Sequence, residues 1–102
     1  MKKIANRDAR YYVEKLLPFE GSNTWGENKR NGTYVVYSYG AHFPIFIYAE
    51  GVWFENEDRY RVSTSRQQSQ CRPSGVETAK RSTEDMRKIA QHGVCGLTLT
   101  TN

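Results

Sequence analysis

The sequence predicts an α+β fold, a small antiparallel β-meander of 3–5 strands packed with an N-terminal helix and a short C-terminal helix. Three observations predict it. Apolar residues recur at helical spacing before Pro18, β-branched and aromatic runs separated by short turns fill residues 33–54, and a capping box opens a second helical pattern at Ser82.

In the first pattern Asn6 reads as an N-cap, and Asp8 lies where a negative charge favours the helix dipole. Ala9, Tyr12, Val13 and Leu16 then share one face, and Pro18 stops the helix, which is expected over 7–17. Arg7, Arg10, Glu14 and Lys15 form its wet side. Asn31-Gly32 is a hairpin signal of the type I′ kind and joins a strand over 24–29 to a second over 33–39. A turn over 40–44 leads into Ile45-Phe46-Ile47-Tyr48, and a tight Glu50-Gly51 turn leads into Val52-Trp53-Phe54. Val62 is the last aliphatic residue before Val76, so the stretch between them builds no core. Ser82 as N-cap with Asp85 three positions on starts the last helix, Met86, Ile89 and Ala90 give it an inner face, and Gly93 ends it. Alternation of Cys95, Leu97 and Leu99 allows a final edge strand.

A chain of 102 residues with no internal repeat and no linker is one domain, 1–102. It contains no run of about 18 apolar residues, so no membrane-spanning helix is expected. The basic start Met1-Lys2-Lys3 has no apolar stretch behind it and does not read as a signal peptide. Two cysteines, Cys71 and Cys95, fit a reducing cytoplasm better than a disulfide scaffold.

The net charge of +4 is unevenly spread. Residues 1–32 sum to +3, residues 33–58 to −4 with no Lys or Arg, residues 59–81 to +5, and the remainder to zero. An acidic block beside a basic block either pairs with itself or makes a dipolar surface that orients a charged partner.

The basic block contains the least ordinary segment of the chain, Ser63-Thr64-Ser65-Arg66-Gln67-Gln68-Ser69-Gln70-Cys71-Arg72-Pro73. If extended, it puts Thr64, Arg66, Gln68, Gln70 and Arg72 on one face and mostly small residues on the other. Arg66 and Arg72 are then about 20 Å apart, a span suited to successive phosphates, while glutamines bond base edges or amides. Arg59 and Arg61 flank Tyr60, and cation beside π surface suits a nucleobase or a protein hot spot. With Trp53 these residues form the predicted contact set: Trp53, Arg59, Tyr60, Arg61, Arg66, Gln68, Gln70 and Arg72. Two other readings stand beside it, a solvated Ser/Gln loop and a buried network in which Arg66 and the amides bond strand carbonyls.

Other constellations carry less. Cys71, Cys95, His42 and His92 make a two-Cys, two-His inventory, but Cys71 and His42 lie singly, so no metal site is assigned. Tyr34-Val35-Val36-Tyr37 departs from an RNA-recognition strand at its glycine and aromatic positions and reads as sheet packing. No serine or histidine has an activating signature beside it, so no catalytic residue and no cofactor are assigned. Were the chain an enzyme, His42, Tyr60 and Arg66 would be the residues to test.

Two segments, Tyr34-Val35-Val36-Tyr37-Ser38-Tyr39-Gly40-Ala41-His42-Phe43-Pro44-Ile45 and Thr64-Ser65-Arg66-Gln67-Gln68-Ser69-Gln70-Cys71-Arg72-Pro73, resemble a family of small uncharacterised proteins encoded by tailed bacteriophages. In that family a strand ending in a tyrosine-glycine-x-histidine-phenylalanine-proline turn precedes a threonine-serine-arginine loop, often with histidine where this chain has Gln67. The likeness covers residues 34–73 and implies no known activity. It implies a setting, the cytoplasm of an infected bacterium, in which a monomer or small homo-oligomer binds a host protein or nucleoprotein, such as a defence nuclease complex. The alternative is direct RNA or DNA binding through Arg59, Arg61, Arg66 and Arg72.

Overall fold

In a computed structural model the chain forms one sheet with a layer on each face; residues 2–5, 8–21, 23–29, 31–38, 43–58 and 71–93 are described. The strands are β1 (Lys2–Lys3), β2 (Phe19–Glu20), β3 (Thr24–Asn28), β4 (Tyr34–Ser38), β5 (Pro44–Ala49), β6 (Val52–Asn56) and β7 (Thr78–Arg81). Two helices lie wholly within the described residues, α1 (Ala9–Glu14) and α2 (Thr83–His92). Strand order in space follows order in sequence, β1 to β7. Strands β2 to β6 form the expected antiparallel meander, while β1 and β7 add one parallel strand at each edge, giving seven in place of 3–5.

The two extra pairings come from crossovers. Strand β1 reaches β2 through α1, and β6 reaches β7 through residues 57–77. Because a parallel pair needs a long connection that returns over the sheet, each crossover supplies cover. Ala9 and Val13 of α1 and Cys71 of the second crossover share a core with Phe19, Tyr34, Val36, Ile45, Phe46 and Trp53. On the opposite face Met86, Ile89 and Ala90 of α2 pack on Val35, Tyr37, Ile47, Ala49 and Phe54. Double coverage explains why every residue of β4 is buried.

Helix α1 is shorter than the predicted 7–17. Leu16 has φ +56°, Leu17 N–H bonds Tyr12 C=O at 2.9 Å, and Leu16 N–H bonds Val13 C=O at 3.0 Å, the hydrogen bonds of a Schellman ending. Pro18 disfavours a helical Leu17, which moves the stop back a turn. The helix begins after Asp8, which makes no side-chain cap, and the proposed cap Asn6 lies outside the described residues.

The two tight turns differ from each other. At Glu50-Gly51 both residues have positive φ, +50° and +78°, between the paired Ala49 and Val52, as a type I′ hairpin requires. At Asn31-Gly32 only the glycine enters that region, at +82°, and Gly32 N–H bonds Lys29 C=O at 3.1 Å while Lys29 N–H bonds Thr33 C=O at 2.7 Å. The predicted I′ turn there is corrected to a longer loop, with the Asn31 side chain as its brace. Helix α2 follows expectation: Ser82 Oγ accepts Asp85 N–H at 3.2 Å, and Gly93 ends the helix at φ +72°. Among the described residues no helix is long and apolar enough to cross a membrane.

Candidate functional site

Among the described residues Glu55 is the one acid buried in the core, with 1% of its side chain exposed. The parallel register sets Glu55 beside Lys80 and Trp53 beside Thr78, so alternate residues of β7 flank the carboxylate. Thr78 Oγ1 donates to Oε1 at 2.7 Å, and Lys80 Nζ lies at 3.3 Å. Arg72 completes the shell with two bonds, Nη1 to Oε1 at 2.7 Å and Nη2 to Oε2 at 2.5 Å. Its guanidinium also lies over the Phe46 ring, 5.6 Å from the centroid. Burial alone would raise the pKa of Glu55; the hydrogen bonds from Arg72 and Thr78, with the Arg72 charge, overcome it and hold the group at about 2.

This network fixes the approach to β7, and a second carboxylate holds the same segment. Glu14, at the end of α1, accepts Ser74 N–H on Oε2 at 2.6 Å. That backbone bond, with a side-chain bond from Ser74, lowers the Glu14 pKa, and Arg10 and Lys15 add to the effect. Residues 72, 74 and 78 are therefore tied to the body of the protein, and Val76 and Glu77 stand between the ties.

The pinned segment forms one wall of an open groove of about 630 Å3. The end of α1 contributes Glu14 and Leu16, and the β5–β6 hairpin contributes Tyr48, Gly51, Val52 and Trp53. The Tyr48 and Trp53 rings lie 5.1 Å apart at 56°, and Tyr34 meets Trp53 edge-on at 6.4 Å and 87°. Tyr34 is held in turn by its hydroxyl, which donates to Leu17 C=O at 2.8 Å, and burial pushes its pKa upward. Val52 and Val76 remain 43% and 45% exposed. The groove thus has an aromatic and aliphatic lining with Glu14 and Glu77 at its margin.

Of the predicted contact residues, Trp53 lines this groove and Arg72 is bound to Glu55. Arg59, Tyr60, Arg61, Arg66, Gln68 and Gln70 lie outside the described residues, as does His42. Cys71 is buried, and burial pushes its thiol up to about 12 despite the Thr24 hydroxyl bonded to it and the Arg10 charge. A thiol so placed is a packing group and not a nucleophile. Among the described residues no group of three or more His, Cys, Asp or Glu side chains is placed to hold a metal. Glu14, Leu16, Tyr48, Val52, Val76 and Glu77 also line the groove and are not in the predicted set; the faint sequence signal is Val52 and Val76, aliphatic residues in turn-like or polar surroundings.

No protein-family model matches the chain, and neither a curated protein nor a solved structure does.

Proposed function

We propose that the chain is a small accessory protein that works by binding, holding a protein partner in the groove between α1, the β5–β6 hairpin and residues 76–77. It inhibits or redirects that partner and carries out no chemistry of its own. The observation that carries this reading is the half-buried Tyr48, backed by the Trp53 ring that is 8% exposed, lining an open groove beside two exposed valines. Aromatic anchors within an apolar surface are what protein interfaces concentrate their affinity on. The likeness of residues 34–73 to small phage proteins supports a bacterial host protein or nucleoprotein as the target, with a defence nuclease complex the leading kind. Carboxylates at the groove margin repel a phosphate backbone, and Arg72 is already engaged by Glu55. Both facts favour a protein over nucleic acid as the ligand of this surface.

A photo-crosslinking side chain at Val52, presented to bacterial lysate, tests the reading. One specific adduct is expected, competed by the unlabelled protein but not by a Trp53→Ala competitor whose fold is verified by circular dichroism. The same crosslinker at Gln91, exposed on α2, gives no such adduct. Equal capture from both positions, or competition unaffected by Trp53→Ala, overturns the proposal. Salt-sensitive binding of single-stranded RNA or duplex DNA, with no protein adduct, would replace it with the nucleic-acid reading.

A further inference from the structure

We infer that residues 73–77 form a flap that gates the groove, hinged on Glu55 and latched by Glu14; its use as a gate rests on the binding reading above. Both ends of the segment converge on one carboxylate. Arg72 Nη1 and Thr78 Oγ1 donate to the same atom, Glu55 Oε1, each at 2.7 Å. The residues between them form a loop closed at its base by that carboxylate, the arrangement of a compact surface loop whose ends are fixed together. Burial follows the same division. Cys71 and Pro73 are buried at the base, whereas Ser74, Gly75, Val76 and Glu77 are all exposed. Gly75 holds φ +69° with no atom within 4 Å of where a Cβ would stand, so nothing packs on the tip from that side.

Among the described residues, the tip is attached to the body by the bonds from Ser74 to Glu14, the backbone N–H at 2.6 Å and the hydroxyl beside it, while Gly75 and Val76 make no hydrogen bond. Latch and hinge differ in kind. Glu55 is 1% exposed and depends on its donors for solvation, so the base stays closed. Glu14 is exposed at the end of α1, and its carboxylate exchanges Ser74 for water at small cost. Release of the tip takes no sealed apolar contact from the core, since Val76 is already 45% exposed.

What the flap borders makes its movement useful. Trp53 lines the groove together with Val76 yet is only 8% exposed, whereas Tyr48 is half-buried. With the tip latched, the groove offers a partner Tyr48, Val52 and Val76 but little of the indole. Swinging Val76 and Glu77 outward widens the groove and turns the Trp53 ring into contact surface. A tryptophan uncovered in this way is the kind of anchor on which interface affinity concentrates, and a partner that prefers the open form shifts the flap towards it.

The test measures the flap in the full chain without any partner. Spin labels are attached at Val52→Cys and Val76→Cys, both exposed positions on the groove, in a Cys95→Ser background where brief labelling spares the buried Cys71 thiol. Dipolar electron paramagnetic resonance should give one narrow distance. Adding Glu14→Ala should bring in a longer distance, with the open-to-closed ratio raised roughly tenfold by the loss of a charge-assisted bond. Glu14→Gln keeps an oxygen for Ser74 N–H and should return most molecules to the short distance. Tryptophan emission is the second readout, in an unlabelled Trp25→Phe chain where Trp53 is the sole tryptophan: Glu14→Ala should shift it to the red, and Glu14→Gln much less. Glu14 is exposed, so circular dichroism of both variants should match the parent. A long or broad distance in the parent, an unchanged distance or emission in Glu14→Ala, no recovery in Glu14→Gln, or lengthening that comes with loss of the circular dichroism signal each overturns the flap. The crosslinking result is read separately. A flap that opens while Val52 gives no specific adduct keeps the movement and removes the function; a specific adduct with a flap that stays shut keeps the function and removes the gate.

Discussion

Arg72 closes a two-pronged ion pair on Glu55, through Nη1 at 2.7 Å and Nη2 at 2.5 Å, and so ties the long crossover to the C-terminal end of β6. Only the acid is buried; the arginine side chain keeps 42% of its surface in water. The energetic consequence is asymmetric. Glu55 depends on its donors for solvation, whereas Arg72 loses little by being released. Together with the Glu14–Ser74 bond, the pair determines where Val76 and Glu77 stand, and hence the width of the groove.

Replacing Glu55 by glutamine should lower stability by about 2 kcal/mol, the scale of hydrogen bonds to a charged group, with some 4–8 °C of melting temperature for each kcal/mol. The pH profile identifies the cause. The folded pKa of Glu55 is about 2 against an ordinary value of 4.5, so in that interval the unfolded chain holds more protons than the folded one. The contribution is complete above about pH 4.5 and disappears as pH falls through 2. Glu14 and Asp58, whose pKa values are also lowered, add to the same acid slope. Urea unfolding of the parent and Glu55→Gln between pH 2 and 6 should show a shallower decline in the variant. Parallel curves would mean that Glu55 is not held in its charged form.

The meander and α2 were legible because their signals are local. Val35, Ile47 and Phe54 announce strands by residue type, and Ser82, Asp85 and Gly93 bracket a helix whose Met86, Ile89 and Ala90 are buried as the spacing requires. Strand β7 was illegible for the opposite reason. Thr-Ala-Lys-Arg at 78–81 has no apolar alternation, and it is a strand because β6 offers an edge and Glu55 offers a carboxylate to Thr78 and Lys80. The groove shares that difficulty: Glu14 and Ser74 are 60 residues apart, and nothing in either neighbourhood points to the other. Trp53 was singled out for its residue type, while its companion Tyr48 looked like any strand tyrosine until the Tyr48–Trp53 register was fixed by the Glu50-Gly51 turn.

That turn can be improved. Glu50 holds φ +50° without the local hydrogen bonding that lets asparagine tolerate this region. Glu50→Asn should therefore stabilise the protein by roughly 0.5–1 kcal/mol, by easing the left-handed conformation and creating the favoured Asn-Gly pair. The natural Asn31-Gly32 sequence behaves differently. There the Asn31 side chain accepts Thr33 N–H at 3.1 Å and reaches the Ala90 carbonyl of α2 at 3.4 Å. Asn31→Ala should cost about 1 kcal/mol through those bonds. Thermal melts of both variants check the contrast, and a destabilised Glu50→Asn would show that the glutamate side chain has a role beyond the turn.

Cys71 provides a probe of the crossover. Its thiol is buried and pushed up to about 12, so the thiolate required by an alkylating reagent is scarce in the folded protein. In a Cys95→Ser variant, iodoacetamide should modify Cys71 only as fast as the segment opens, with labelling accelerating in step with added urea. Fast labelling without denaturant would show that the crossover separates from the sheet while the meander remains folded.

Gly26 decides whether the aromatic side of the groove can form at all. A Cβ at this position would lie 2.5 Å from the Tyr34 hydroxyl and 2.6 Å from the Phe19 ring. Neither atom can retreat cheaply, since Phe19 is sealed in the core and the Tyr34 hydroxyl is bonded to Leu17 C=O at 2.8 Å. Gly26→Ala should cost about 1–3 kcal/mol as overpacking. Its effect should also extend to the ligand surface, because displacing the Tyr34 ring removes the edge that abuts Trp53. Tyr34→Phe separates the two contributions: it keeps the ring against Trp53, gives up only the bond to Leu17, and should cost about 1 kcal/mol. With Trp25→Phe as background, Trp53 emission should shift in Gly26→Ala and stay near the parent in Tyr34→Phe. Equal shifts would mean that the hydroxyl, and not the ring position, governs the surroundings of Trp53.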